Sequence, residues 1–101
     1  MIEVEIEMED EIRICISGHA GYAPEGQDIV CSAISALAYT LIEYVIHHGG
    51  SYTDSGNRMM IKSPVTSRTR DTIQAICEGM QMVEAEHPEC VLVKQSEMGV
   101  H

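Results

Sequence analysis

Apolar and polar positions alternate from the start of the chain, with Ile2, Val4, Ile6 and Met8 set against Glu3, Glu5 and Glu7. A period of two is that of a β-strand with one buried and one wet face, because successive side chains point to opposite sides. After Glu9 and Asp10 the alternation resumes, Ile12, Ile14 and Ile16 against Arg13 and Cys15, which predicts an antiparallel hairpin partner. Arg13 then falls near the first-strand glutamates, and Cys15 takes the face opposite the isoleucines. From Asp28 the period changes: Val30, Ile34, Leu37, Leu41 and Val45 recur by four, three, four and four, the stripe of an amphipathic helix running to about His47. Cys31, Ser35 and Ala38 form a neighbouring strip of small residues on that helix.

Beyond it, His47 and His48 stand before Gly49 and Gly50, which suits a helix C-terminus. Adjacent helical side chains diverge, so a two-histidine metal site is not expected there. Residues 51–53 and 59–62 read as two short strands around the turn-rich loop Asp54 to Arg58. Ser63-Pro64 breaks the pattern, and Thr66 or Ser67 then caps a second helix carrying Ile73, Ile76, Met80 and Val83, which ends before Pro88. Arg68 and Arg70 in its first turn oppose the helix dipole and so suit pairing with a carboxylate. Gly79 weakens this helix by about 1 kcal/mol relative to alanine and therefore marks a close contact with the sheet or the first helix. Val91 to Val93 supply a last strand inserted in the sheet, with a loose tail from Ser96. The order β-β-α-β-β-α-β predicts an α+β domain: a mainly antiparallel sheet of four to five strands with two helices packed on one face. Strand order does not follow from the sequence, and an open sheet face or edge strand is the expected dimer surface.

At 101 residues the chain is expected to form one domain, residues 1–101, with a single core. It has no Trp or Phe, so seven Met and many aliphatic residues must fill the interior. The net charge of −10, from 16 acidic against 6 basic residues, argues against binding nucleic acid through its phosphates. It favours a basic polypeptide partner, though acidity also serves solubility. No apolar run reaching a membrane span is apparent, and the N-terminus lacks the basic start and apolar centre of a signal peptide, so a cytoplasmic location is expected. Cys15, Cys31, Cys77 and Cys90 lack metal-binding spacing and a secretory context, so free thiols, no metal and no cofactor are expected. There is no phosphate-binding loop and no internal repeat.

Candidate chemistry is concentrated in one stretch, from Gly18 to Leu37. His19 follows the second strand, an eight-residue loop from Ala20 to Gln27 comes next with Gly21, Pro24 and Gly26, and the helix carrying Cys31 opens at Asp28. With Asp28 as N-cap, Cys31 stands in the first turn, where unpaired N–H groups and the positive dipole end favour a thiolate. His19 is the matching proton-transfer group, and helix-start N–H groups can receive an oxyanion. The loop reads as a flap hinged at its glycines or as a plain polar connector. On spacing alone Cys31 is equally a small buried residue and His19 a loop residue, and Ser35 bonds either near the thiol or to its own helix backbone. The corresponding function is either a cysteine endopeptidase or a non-enzymatic acidic module that holds a basic protein.

The residues Ser17-Gly18-His19-Ala20-Gly21-Tyr22, then Gly26, Asp28-Ile29-Val30-Cys31-Ser32-Ala33 and Ser35-Ala36-Leu37 resemble the signature of the ribosomal-processing cysteine proteases (Prp). The resemblance implies a catalytic dyad of His19 and Cys31, with Gly18, Gly21, Asp28 and Ser35 shaping the site or binding substrate. Asp28 either caps the helix or orients His19. The resemblance further implies removal of a short N-terminal extension from ribosomal large-subunit protein twenty-seven, no cofactor, and a homodimer. Phage-borne relatives that process a virion protein give an alternative substrate.

Overall fold

The computed structural model describes residues 1–18 and 27–97; the side chains of Gln27, Asp28 and Glu97 fall outside that description. Residues 20–26 of the expected loop and residues 98–101 of the expected tail also lie outside the described residues, whereas Gln27, expected in the loop, opens the first helix, and Ser96, expected to begin the tail, lies in the last strand. Seven elements follow in the predicted order: β1 (Ile2–Met8), β2 (Glu11–Ser17), α1 (Gln27–Ile46), β3 (Ser51–Asp54), β4 (Arg58–Pro64), α2 (Ser67–Glu86) and β5 (Val91–Glu97).

Burial in β1 alternates residue by residue, its four apolar side chains inward and its three glutamates outward. The hairpin register sets Val4 opposite Ile16 and Ile6 opposite Ile14, so the two strands face one core. Both helices lie against that side of the sheet. Its other side carries Glu5, Cys15 and Met60 in one cross-strand row. Cys15 lies on that face as expected, yet it is buried there, its Sγ accepting from Arg58 Nε at 3.1 Å. Arg13 pairs with Glu11 of its own strand at 3.2 Å, while its cross-strand neighbour is Glu7.

The sheet order is β3-β4-β2-β1-β5, antiparallel throughout except that β5 runs parallel to β1. The last strand is therefore an edge strand, not one inserted among the others. Its exposed side is blunted by α2: the Val93 N–H donates to Glu84 Oε2 at 2.8 Å. An occupied edge amide is a poor template for a further strand. β4 runs from Arg58 through Pro64 rather than from residue 59 to 62, because Pro64 closes the strand where its register partner Glu11 begins β2.

The two helices pack differently from the expectation in one respect. The buried residues of α1 are Val30, Ile34, Ala38, Leu41, Ile42 and Val45, so the stripe is rotated toward Ala38 and Ile42, and Leu37 is only half-buried. Leu37 instead meets α2 at Gly79, where an added Cβ would stand 3.3 Å from Leu37 Cδ2. The close contact predicted at Gly79 is thus with the first helix. Thr66 caps α2 through a reciprocal box: its Oγ1 accepts from Thr69 N at 3.0 Å, and its N–H donates to Thr69 Oγ1 at 2.9 Å. His87 N–H closes the other end on the Val83 carbonyl at 2.9 Å, one residue before Pro88. Cys77 and Cys90 sit in the core, and no disulfide joins the cysteines among the described residues.

One expectation is overturned by α1. Its segment Ile29–Ile46, with a mean hydropathy of 1.9, is long and apolar enough to cross a membrane by length and composition. Glu43 is its one charged residue, and Ala, Ser and Tyr dilute rather than interrupt the apolar run. In the fold this segment lies with its stripe on the sheet, yet only about a third of it is buried.

Candidate active-site cleft

The cleft grows from where β2 ends. Ser17 pairs with Arg58 and the next residue, Gly18, leaves the sheet at φ +86°, its N–H donating to the Asn57 carbonyl at 3.3 Å. A left-handed conformation suits glycine, and a Cβ here would also collide with the Met1 carbonyl oxygen. The second strand is therefore released toward His19 in a direction that other residues resist.

Facing it is the first part of α1. This helix begins at Gln27, so Asp28 lies inside the first turn instead of capping it. Cys31 is the fifth helical residue, and its own N–H falls within the regular hydrogen-bonding ladder. The donors without an intrahelical acceptor belong to the residues before it. An oxyanion would accordingly be received upstream of the nucleophile, at the mouth of the helix.

Cys31 and Ser35 are one turn apart, and Tyr39 continues the same strip. Cys31 is half-buried, with one side packed on the core and the other open. It lines a cleft of ≈ 270 Å³ together with Gly18, Ser35, Tyr39, Ile16 and Met59. The wall is apolar apart from Ser35 and the tyrosine. A partly accessible thiol on an apolar wall, beside a chain segment that departs from a strand, suits a nucleophile that must exclude bulk water yet admit an extended peptide.

Among the residues singled out in the sequence, the cleft brings together Gly18, Cys31 and Ser35. His19, Gly21 and the Asp28 side chain lie outside the described residues. Ser35 is exposed, so its hydroxyl is available to the cleft. Tyr39 and Met59 are lining residues that the sequence reading missed. Tyr39 was detectable, since it follows Cys31 and Ser35 at intervals of four. Met59 was not, because its place depends on the pairing Ile16↔Met59 between β2 and β4. Among the described residues, no group of three or more His, Cys, Asp or Glu side chains is arranged to hold a metal.

A family model described as cysteine protease Prp matches residues 1–92. The chain belongs to this family. It is a cysteine peptidase, and the alternative of a non-enzymatic module is set aside. It is similar to the ribosomal processing cysteine protease Prp of Staphylococcus aureus, with 28% identity over 99 residues, spanning 88% of this chain and 93% of that relative. It also resembles two crystal structures of an essential ribosomal processing protease Prp from S. aureus. One, with a substrate peptide, has a TM-score of 0.78 at 23% identity, covering 95% of this chain and 100% of the other. The second, with a covalently linked product peptide, has a TM-score of 0.73 at 24% identity with the same coverage. At such identities the likeness establishes that the fold is shared.

Proposed function

We propose that this peptidase removes a short N-terminal extension from a ribosomal large-subunit protein, protein twenty-seven, with Cys31 as nucleophile and His19 as the proton-transfer group. The observation that carries the reading is that Cys31 and Gly18, the residue immediately before His19, line one cleft. The named relatives, one of them described with a substrate peptide, support the substrate class.

In the first half-reaction the Cys31 thiol gives its proton to His19, and the thiolate adds to the scissile carbonyl carbon. The resulting oxyanion is held by the unpaired N–H groups at the start of α1. Collapse breaks the C–N bond, His19 returns the proton to the leaving amine, and a thioester remains on Sγ. Water then attacks the thioester with His19 accepting its proton, which releases the carboxylate and restores the thiol. No cofactor enters these steps. Gly18 gives the peptide backbone room to approach, Ser35 offers a hydroxyl at the cleft wall, and the family resemblance adds Gly21 as a substrate-binding residue. Asp28, three residues before the thiol in the sequence, supplies the carboxylate that orients His19.

The working form is a homodimer acting in the cytoplasm. The exposed apolar residues Ile29, Tyr39 and Ile46 on α1 support the dimer. Cys31→Ala is expected to abolish cleavage of a purified ribosomal precursor, by at least about 10³-fold, with an unchanged melting temperature. Product masses locate the cut. Turnover by that variant equal to the parent chain would end the proposal, and cleavage confined to a virion protein would reassign the substrate.

A further inference from the structure

The charges of this acidic chain are unevenly distributed. Of its six Lys and Arg residues, four lie on strands: Arg13, Arg58, Lys62 and Lys94. The other two, Arg68 and Arg70, open α2. All of α1, and α2 from Asp71 to Glu86, contain none. The exposed side of α2 therefore presents Asp71, Glu78 and Glu86 without an intervening cation.

Within this acidic layer lies an apolar groove of ≈ 530 Å³ between the two helices. Its lining includes Ile29, Ala33 and Leu37 of α1 and Met82 and Val83 of α2. Ile29 and Met82 are each 71% exposed. Glu78, Met82 and Glu86 follow one another at intervals of four, so a bulky apolar side chain stands between two carboxylates along one strip. A symmetric second copy placed over α2 would set these acids against their own counterparts, which is unfavourable. A basic chain with an apolar anchor has the opposite charge and fills the groove.

The groove also adjoins the catalytic cleft. Successive α1 residues serve the two in turn: Ile29, Val30 and Ala33 line the groove, and Cys31, Ile34 and Ser35 line the cleft. One polypeptide can therefore reach both by crossing the first turns of α1. We propose that the α1–α2 groove is a docking site for a Lys/Arg-rich segment of the substrate itself, anchored by a bulky apolar side chain and lying apart from the scissile bond. This rests on the peptidase reading given above. Electrostatic attraction raises the encounter rate, and the apolar anchor slows departure.

The test compares two peptides, one spanning only the scissile bond and one extended by a Lys/Arg-rich segment bearing a leucine. For Glu78→Lys with Glu86→Lys, and separately for Met82→Ser, KM toward the extended peptide is expected to rise about tenfold, with kcat within about twofold. Cleavage of the short peptide by both variants is expected to stay at the parent level. The parent chain's preference for the extended peptide should fade with added salt. Equal losses on both peptides, or no loss on either, would overturn the docking site. So would sedimentation showing a parent dimer that Met82→Ser dissociates, because a second copy would then occupy the groove. Binding of the labelled extended peptide to the Cys31→Ala chain is measured alongside. Tail-dependent binding with no cleavage by the parent chain would refute the peptidase reading and leave the docking site standing, whereas cleavage without tail-dependent binding would refute the docking site alone.

Discussion

The two helices are both 20 residues long and rest on the same sheet, yet their sequences solve different problems. α2 is specified by local means: a threonine box at its start, a closing carbonyl bond before Pro88, core residues on one side and acids on the other. α1 has no comparable division, because its outward residues include Ile29, Tyr39 and Ile46, all exposed. The difference is explained by what each helix borders. α2 borders the core, the edge strand and one wall of the interhelical groove, whereas α1 has the core beneath it, the thiol cleft on one flank and the other wall of that groove on the other. A helix with a surface to offer on each side retains apolar residues that a purely structural helix would replace.

Truncating the buried stripes would sharpen this contrast most. Ile34→Ala in α1 and Ile73→Ala in α2 are each expected to cost about 2–5 kcal/mol in denaturant unfolding, since both side chains are buried. The α1 change should additionally depress cleavage, because Ile34 backs the cleft. Equal activity of the two folded variants would break the division of roles.

A second test uses pH. Burial pushes the Cys77 thiol of α2 up to about 12, and nearby Glu78 adds to the shift. The folded chain thus keeps a proton that the unfolded chain gives up near ~8.5. Across that window the unfolded state binds fewer protons, so stability falls as pH rises, and the contribution present below the unfolded value is lost toward about 12. Chemical denaturation at stepped alkaline pH should show this slope in the parent chain, and Cys77→Ala should remove its share of it.

Smaller effects are expected at the helix ends. Thr66→Ala removes the box that starts α2 and should cost about 0.5–2 kcal/mol, seen as a shift of roughly 4–8 °C per kcal/mol in melting temperature. Least of all is expected from α1, where the Tyr44 hydroxyl is buried without a hydrogen-bond partner among the described residues while the ring stacks on His48 at 4.0 Å. Tyr44→Phe keeps the stack and removes an unsatisfied group, so its stability should stay within about 0.5 kcal/mol of the parent or rise. A larger loss would mean that the hydroxyl is paired.

Legibility in the sequence followed the range of the interactions. β1 and β2 were readable because alternation is a local property, and α2 because Thr66, its apolar stripe and Pro88 lie within one segment. Strand order was not readable: nothing near Val91 signals that it will lie beside Ile2. The start of α1 was misplaced by two residues, since Asp28 has the chemistry of a cap and also tolerates a first-turn position. The rotation of its stripe escaped because Leu37 is apolar in either setting, and only the approach of Gly79 draws it aside. For the cleft, residues on the helix carrying Cys31 were accessible to reasoning by spacing, and those contributed across strands were not.

The position of β1 has a consequence for how the chain matures. It is flanked by β2 on one side and by β5 on the other, so its pairing with residues 91–97 closes a loop of nearly the whole sequence. Such long-range closure is slow relative to hairpin formation. During synthesis the first strand therefore keeps one row of amides and carbonyls unmatched until β5 has emerged, and the peptidase domain acquires its finished architecture only after that strand is made.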